Sequence, residues 1–325
     1  MLKRSLRSTV LACLCLLIVW SVGPVAIAGD INLTITRSDL DGGGIVDLVS
    51  GMEYPARGLA LDTQDGRMYW TIAGEGGASQ ELDGSVNRVR LNGTMIQTIV
   101  TDLRGGAGIA VDPSAGKVYW ADDAGGKIQR ANLDGSDVED LVIVAGIMRA
   151  MALDLQNQKM YWTNVHDVIQ RANLDGSNVE ALVHESNQFG RGIALDIAAG
   201  KVYWTQFSKK IRRANLDGTD VEDLITVPEF PEGIALDIGA GKMYYAVQGV
   251  GIERANLDGS NVEHVLSRAA IRVALDPEQG HIYFNSAVDT SVVPALSPTA
   301  TVIAVVVFLA LATTVLVRRR TRVSS

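Results

Sequence analysis

The chain is 325 residues long, 47% hydrophobic and 20% charged, with a formal net charge of −8. Both ends read as targeting segments: the leader carries three basic residues and the tail four, which leaves 22 of the 29 basic residues against all 37 acidic ones, a net charge of −15. That acidity excludes a nucleic-acid footprint, and because Cys13 and Cys15 both fall in the leader, the remainder has no thiol for a disulfide or a zinc site.

Residues 1–28 read as a signal peptide. Lys3, Arg4 and Arg7 form a positive start, an apolar run extends from Val10 to Val22, and Ala26-Ile27-Ala28 offers a small-residue cleavage site before Gly29. An exported chain beginning near Gly29 is expected.

Residues 33–290 are built from one repeated unit. Gly58-Leu59-Ala60-Leu61-Asp62 leads to Met68-Tyr69-Trp70-Thr71, and equivalents of this pair recur around Tyr119, Tyr161, Tyr203, Tyr244 and Tyr283, six copies in all. A second motif, Ile-x-Arg-Ala-Asn-Leu-Asp-Gly, centres on Arg130, Arg171, Arg213 and Arg254, with looser copies at Arg37 and Arg88. The tyrosines are 50, 42, 42, 41 and 39 residues apart, a period that fits four short strands per unit. Alternating apolar residues, aromatics and Gly/Asp punctuation favour strand over helix, giving strand a (GIALD), strand b (KVYWT), strand c (IRRAN) and strand d (VEDLI). The chain opens on a c-d pair, Ile35 to Val49, and closes on an a-b pair, Val273 to Ser286. Together these make one further unit, so a closed ring with a two-plus-two clasp is expected, with no open sheet edge between first and last units.

These motifs resemble the YWTD repeats of the low-density lipoprotein receptor family, and the resemblance covers residues 33 to 290. It implies an all-β, six-bladed propeller. The Asp that follows Tyr-Trp-Thr in the family stands only at Asp122; Ile72, Asn164, Gln206, Val247 and Ser286 replace it elsewhere, which puts the inter-blade bonds credited to it in doubt. No cysteine is available for the epidermal-growth-factor-like modules that flank animal members.

The repeated residues read as structural. Trp70, Trp120, Trp162 and Trp204 and seven of the eight tyrosines lie in strand b, where they fill space between blades. The strand-a Asp, at 62, 112, 154, 196, 237 and 276, reads as a turn-capping carboxylate, and the strand-c Arg as a structural partner for backbone or carboxylate groups. Gly or Ala in strand a is expected because six strands converge on the axis. Asp39-Leu40-Asp41-Gly42-Gly43-Gly44 resembles a calcium loop, but Ser50 stands where a twelfth-position Glu is needed, so it reads as a c-d turn.

Function is sought where the repeat varies. The a-b and c-d turns lie on one face of the disc, the b-c and d-a loops on the other. Five residues before each strand-a Asp, at the channel mouth on the variable face, stand Arg57, Ala107, Arg149, Arg191, Glu232 and Ile271, with Arg272 one place on. Such a ring favours an anion or an acidic partner, or else pairs with neighbouring acids such as Glu232. Phe189, Phe207 and Phe230, with Lys209 and Lys210, fall on the same face and make a mixed aromatic and basic patch, or else plug their own loops. The Ile72 to Ser85 insertion lengthens a loop there.

A non-catalytic extracellular binding module is therefore expected, holding an acidic or anionic protein or glycan, with no metal or other cofactor. The rival readings are a propeller enzyme of lactonase or lyase type and a purely structural envelope component. Metal-dependent propeller hydrolases need several oxygen ligands at the channel mouth, where this chain places arginines; His166, His184, His264 and His281 are scattered, and no Gly-x-Ser-x-Gly or His-Glu-x-x-His stretch occurs.

The chain ends in a linker (291–299) with Val293-Pro294-Ala295-Leu296-Ser297-Pro298, an uncharged span (300–317) and a basic tail (318–325). Eighteen residues just cross a hydrocarbon core of roughly 30 Å, and the arginines keep the tail cytoplasmic with the propeller outside. The segment resembles VPxLS-type and PEP-CTERM sorting tails processed by exosortases; a transient sorting signal and a permanent anchor both remain open.

Overall fold

The computed structural model describes residues 31–73, 84–165, 169–185 and 189–289. The leader, the linker, the apolar span, the basic tail and most of the Ile72 to Ser85 insertion lie outside the described residues. No helix among the described residues is long and apolar enough to cross a membrane.

Among the described residues, twenty-four strands form six four-stranded antiparallel sheets. Five sheets take their strands consecutively, and the sixth is composite: Ile31–Asp39 and Val46–Met52 supply its outer half, Val273–Asp276 and His281–Asp289 its inner half. The six a strands pack side by side around an axis. This is the all-β, six-bladed propeller with two-plus-two closure that the repeats imply. Residues 32–288 form one compact unit.

Register explains the motif. In blades two to five the same four residue types stand abreast across the sheet: Ala110, Tyr119, Arg130 and Glu139 in blade two, Ala152, Tyr161, Arg171 and Glu180 in blade three. Ala leaves room for the tyrosine ring, and Arg lies over that ring, its guanidinium carbon 5.5 to 5.7 Å from the centroid in blades two to five. In these blades the same Arg bonds the Glu of strand d, and in blades one to four the strand-c Arg reaches a c-d turn carbonyl of the next blade. Arg88 reaches Leu133 at 2.8 Å, Arg130 reaches Leu174 at 3.2 Å, Arg171 reaches Leu216 at 2.9 Å and Arg213 reaches Leu257 at 3.1 Å.

Apolar clusters fill the spaces between blades. Each joins the Tyr of one blade to the following ring of the next: Tyr69 with Trp120, Tyr119 with Trp162, Tyr161 with Trp204, Tyr203 with Tyr245, Tyr244 with Phe284 and Tyr283 with Trp70. The aromatics are therefore spent on the core, as their repetition implies. The c-d turns dock on the preceding blade: a Cβ at Gly259, φ +85°, would fall 2.7 Å from the Leu224 carbonyl oxygen, which only glycine tolerates. The Asp39–Gly44 loop is one of these turns, closed by Gly42 N–H to Asp39 O at 2.9 Å.

The strand-a glycine has a different cause from axial crowding alone. A Cβ at Gly108 would lie 2.6 Å from the Met151 nitrogen, and one at Gly192 2.6 Å from the Glu232 oxygen. It is the backbone of the adjacent blade that excludes a side chain there.

Candidate functional site

The repeated polar residues are consumed by the scaffold. All six strand-a aspartates accept N–H groups of their own a-b turns, as Asp154 does from Asn157 at 2.9 Å and Asp196 from Ala199 at 2.9 Å. The inter-blade bond that the missing YWTD Asp leaves in doubt is made one residue earlier in three blades: Thr71 donates to the Ala107 carbonyl, Thr205 to that of Glu232, and Asn285 to that of Ala56. What remains for recognition is the variable face.

At the start of strand a the ladder slips in five blades, between Ala56 and Gly58, Gly106 and Ile109, Met148 and Met151, Gly190 and Ile193, and Pro231 and Ile234. Such irregularities release a side chain from strict alternation and re-aim it. Arg57, Arg149, Arg191 and Glu232, each inside one of these slips, line one cavity of about 270 Å³ at the channel mouth together with Ile271 and Arg272, which precede the last a strand. Arg57, Arg149 and Arg272 also line a neighbouring cavity of about 310 Å³, together with Ala107, Arg104 and Asp123.

The arginines are not equivalent. Arg191 is ion-paired to Glu232. Arg57 and Arg149 have no ion-pair partner among the described residues. Burial, and then the charge of Arg149, holds Arg57 and Arg191 below the ordinary arginine value. Arg272 is 9% exposed and is pushed down to about 9 by burial and by the charges of Arg149, Arg57 and Arg191. Its Nε donates to the Arg57 carbonyl and its Nη2 to that of Arg149 at 3.3 Å, while Nη1 finds no acceptor among the described residues.

A second assembly lies beside the mouth. Phe207 stacks on Phe230 with centroids 4.5 Å apart and meets Phe189 edge-on at 5.9 Å. Arg191 lies 5.2 Å from the Phe207 centroid and 5.7 Å from that of Phe230, and the Lys209 amine 5.3 Å from Phe230. Three loops from two blade junctions thus converge on one patch, with Phe207 40% exposed. Lys209 takes φ +61° in a turn where blade two has Gly126 at φ +65°, so a side chain is kept where glycine would be unstrained. Lys210 does not join the patch; its amine is tied to Asp223 on strand d.

Asp123 and Arg104 escape a reading of the repeats. Asp122 accepts the N–H of Gly105 at 2.8 Å and of Gly125 at 3.2 Å, leaving Asp123 to accept Met148 N–H at 2.8 Å from inside the cavity. The doubled acid in Ala121-Asp122-Asp123, found in no other copy of the motif, is the signal that marks it.

No family model matches the chain. Among curated proteins it is 35% identical over 105 residues to low-density lipoprotein receptor-related protein 1 of Pyricularia oryzae, covering 31% of this chain and 33% of that one. It is 33% identical over 131 residues to the human low-density lipoprotein receptor-related protein 5-like protein, covering 39% and 49%. Both matches fall on repeats similar to those of low-density lipoprotein receptor-related proteins. Protein cueball of Drosophila virilis is similar to this YWTD propeller over 114 residues at 31% identity, covering 34% of this chain and 17% of that one. The chain spans less than half the length of each of these relatives. Among solved structures, a chain of a nidogen/laminin complex superposes with TM-score 0.61 at 18% identity, over 78% of this chain and 98% of that one. A gluconolactonase from Xanthomonas campestris superposes with TM-score 0.58 at 15% identity, over 82% and 94%. These likenesses show the propeller fold alone.

Proposed function

We propose that the chain is a non-catalytic recognition module held outside the cell, whose variable face binds an acidic or anionic partner, protein or glycan. The carrying observation is the convergence of Phe189, Phe207 and Phe230 with Arg191 and Lys209 on a face the scaffold does not need. Arg191 is paired to Glu232 and Lys209 to Glu229 at 3.2 Å, so the patch favours a partner that supplies apolar groups together with negative charge able to compete for these cations. The receptor-type relatives support an extracellular or membrane-associated setting, with the apolar span and basic tail as the anchor or as an exosortase-type sorting signal. A lactonase or lyase reading is less well supported, because the channel mouth offers arginines where a hard cation needs oxygen ligands.

The test is capture from envelope and medium fractions by the full chain, compared with a Phe207→Ala/Phe230→Ala variant confirmed to melt at the same temperature. Capture lost in the variant supports the patch as the binding surface. Equal capture by both proteins, or none by either, overturns it in favour of a structural role.

A further inference from the structure

Arg272 stands four residues before its strand-a Asp, the position held by Gly58, Gly108, Ala150, Gly192 and Gly233 in the other blades. That position admits almost no side chain elsewhere, because the next blade's backbone presses on it. Blade six instead places there the longest cation available and buries it. Two of its donors are occupied by the carbonyls of Arg57 and Arg149, which would be served as well by a neutral side chain. No carboxylate among the described residues is ion-paired to its guanidinium: of the two acids at the mouth, Glu232 is committed to Arg191, and Asp123, which lines the 310 Å³ cavity, accepts the Met148 N–H. A buried charge without a counter-charge is destabilising unless something else supplies one.

From this geometry we propose that the channel mouth is a binding site for an oxyanion group (sulfate, phosphate or carboxylate), with Arg272 as its floor and Arg57 and Arg149 as its walls. The 310 Å³ cavity has room for the anion and for the first atoms of whatever carries it. Planar, forked donors suit such oxygens, and burial strengthens each bond. The proposal deepens the recognition reading by giving the chemistry of one contact. It can fail independently, since the Phe207→Ala/Phe230→Ala variant leaves Arg272 untouched.

The experiment is calorimetric titration and thermal melting of the full chain in uncharged detergent with sodium sulfate, against sodium chloride at equal ionic strength. Saturable one-to-one binding is expected, with the melting temperature raised on the order of 5 °C at 100-fold excess over Kd. Arg149→Gln should weaken binding about tenfold or more. Arg272→Met should abolish it, yet melt no lower than the parent in sulfate-free buffer, because it removes an uncompensated buried charge. Should Arg272→Met fail to fold, Arg149→Gln carries the test alone. A response matched by chloride, or retained in either folded variant, overturns the site. A sulfated monosaccharide titrated alongside distinguishes the source: tighter binding than sulfate marks a glycan end group, equal binding a free ion.

Discussion

Asp123 faces the same cavity as Arg57 and Arg149, yet its carboxyl is held above the usual aspartate range. Burial is the largest cause, and the Met148 N–H and the charges of Arg149 and Arg57 pull the other way without prevailing. The sign follows directly. An acid whose folded pKa is raised costs stability while ionised in the folded state, and that cost is relieved as pH falls through the raised value toward the ordinary one. Ionised Asp123 also repels an anion at the mouth. Sulfate affinity should therefore increase on acidification from neutrality, a range in which sulfate keeps its double charge. Asp123→Asn, which preserves the acceptor for Met148, should bind at least tenfold tighter at neutral pH and lose the pH dependence, because removing a unit charge about 4 Å from an anion at effective dielectric about 20 is worth about 4 kcal/mol before screening by salt. Titrations of both proteins at two pH values decide it, and an unchanged slope in the variant would assign the effect to another group.

The cross-strand row of Ala, Tyr, Arg and Glu shows how one blade holds the next. In blade three Arg171 bonds the Tyr161 hydroxyl at 3.3 Å, the Glu180 carboxylate at 2.6 Å and the Leu216 carbonyl of blade four at 2.9 Å. Glu180 is half exposed, so its ion pair is screened and Glu180→Ala should cost less than about 1 kcal/mol. Arg171→Met takes the guanidinium donor from the Tyr161 hydroxyl and leaves the Leu216 carbonyl only the long 3.5 Å bond from that hydroxyl, and should cost about 1 to 3 kcal/mol. Denaturant unfolding of the two single variants separates these values, and equal costs would mean that the inter-blade bond contributes nothing. Because such rows join residues about ten positions apart with fixed spacing, blade architecture, turn caps and ring closure were legible in the sequence. The site was legible only in part. Arg272 contacts Arg57 across 215 residues, so the spacing that puts both at the mouth could not show which carbonyls its guanidinium meets. The same limit explains Lys210, which shares composition and neighbourhood with Lys209 but alternates outward to Asp223, and Asp123, whose role follows from Asp122 being already occupied.

The propeller differs from an open solenoid in having no end. A linear array loses one repeat's worth of stability when truncated and keeps the rest, whereas here every blade has two neighbours and the composite sixth blade joins the chain's first strands to its last. The junction is held by Thr34 and Ser286 hydroxyls 2.8 Å apart, by Arg268 bonding Ser286 at 3.1 Å and Asp47 at 2.7 Å, and by the Tyr283 and Trp70 rings sharing a core with Ile35 and Val49. The turns carry closure onward. Gly42 of blade six docks on Val265 of blade five, and Gly93 of blade one docks on Leu48 of blade six. Removing the outer pair of strands, residues 31–52, would expose the edge of His281–Asp289 and also uncover the core that blade one shares with blade six. Loss of the whole cooperative transition is therefore expected, not loss of one sixth of it: the truncated chain should lack near-ultraviolet ellipticity and a sharp thermal midpoint, while the intact chain melts in one step. A truncated protein that still melts cooperatively, at a modestly lower temperature, would show that blades one to five stand as an open array and that the clasp serves only to protect an edge.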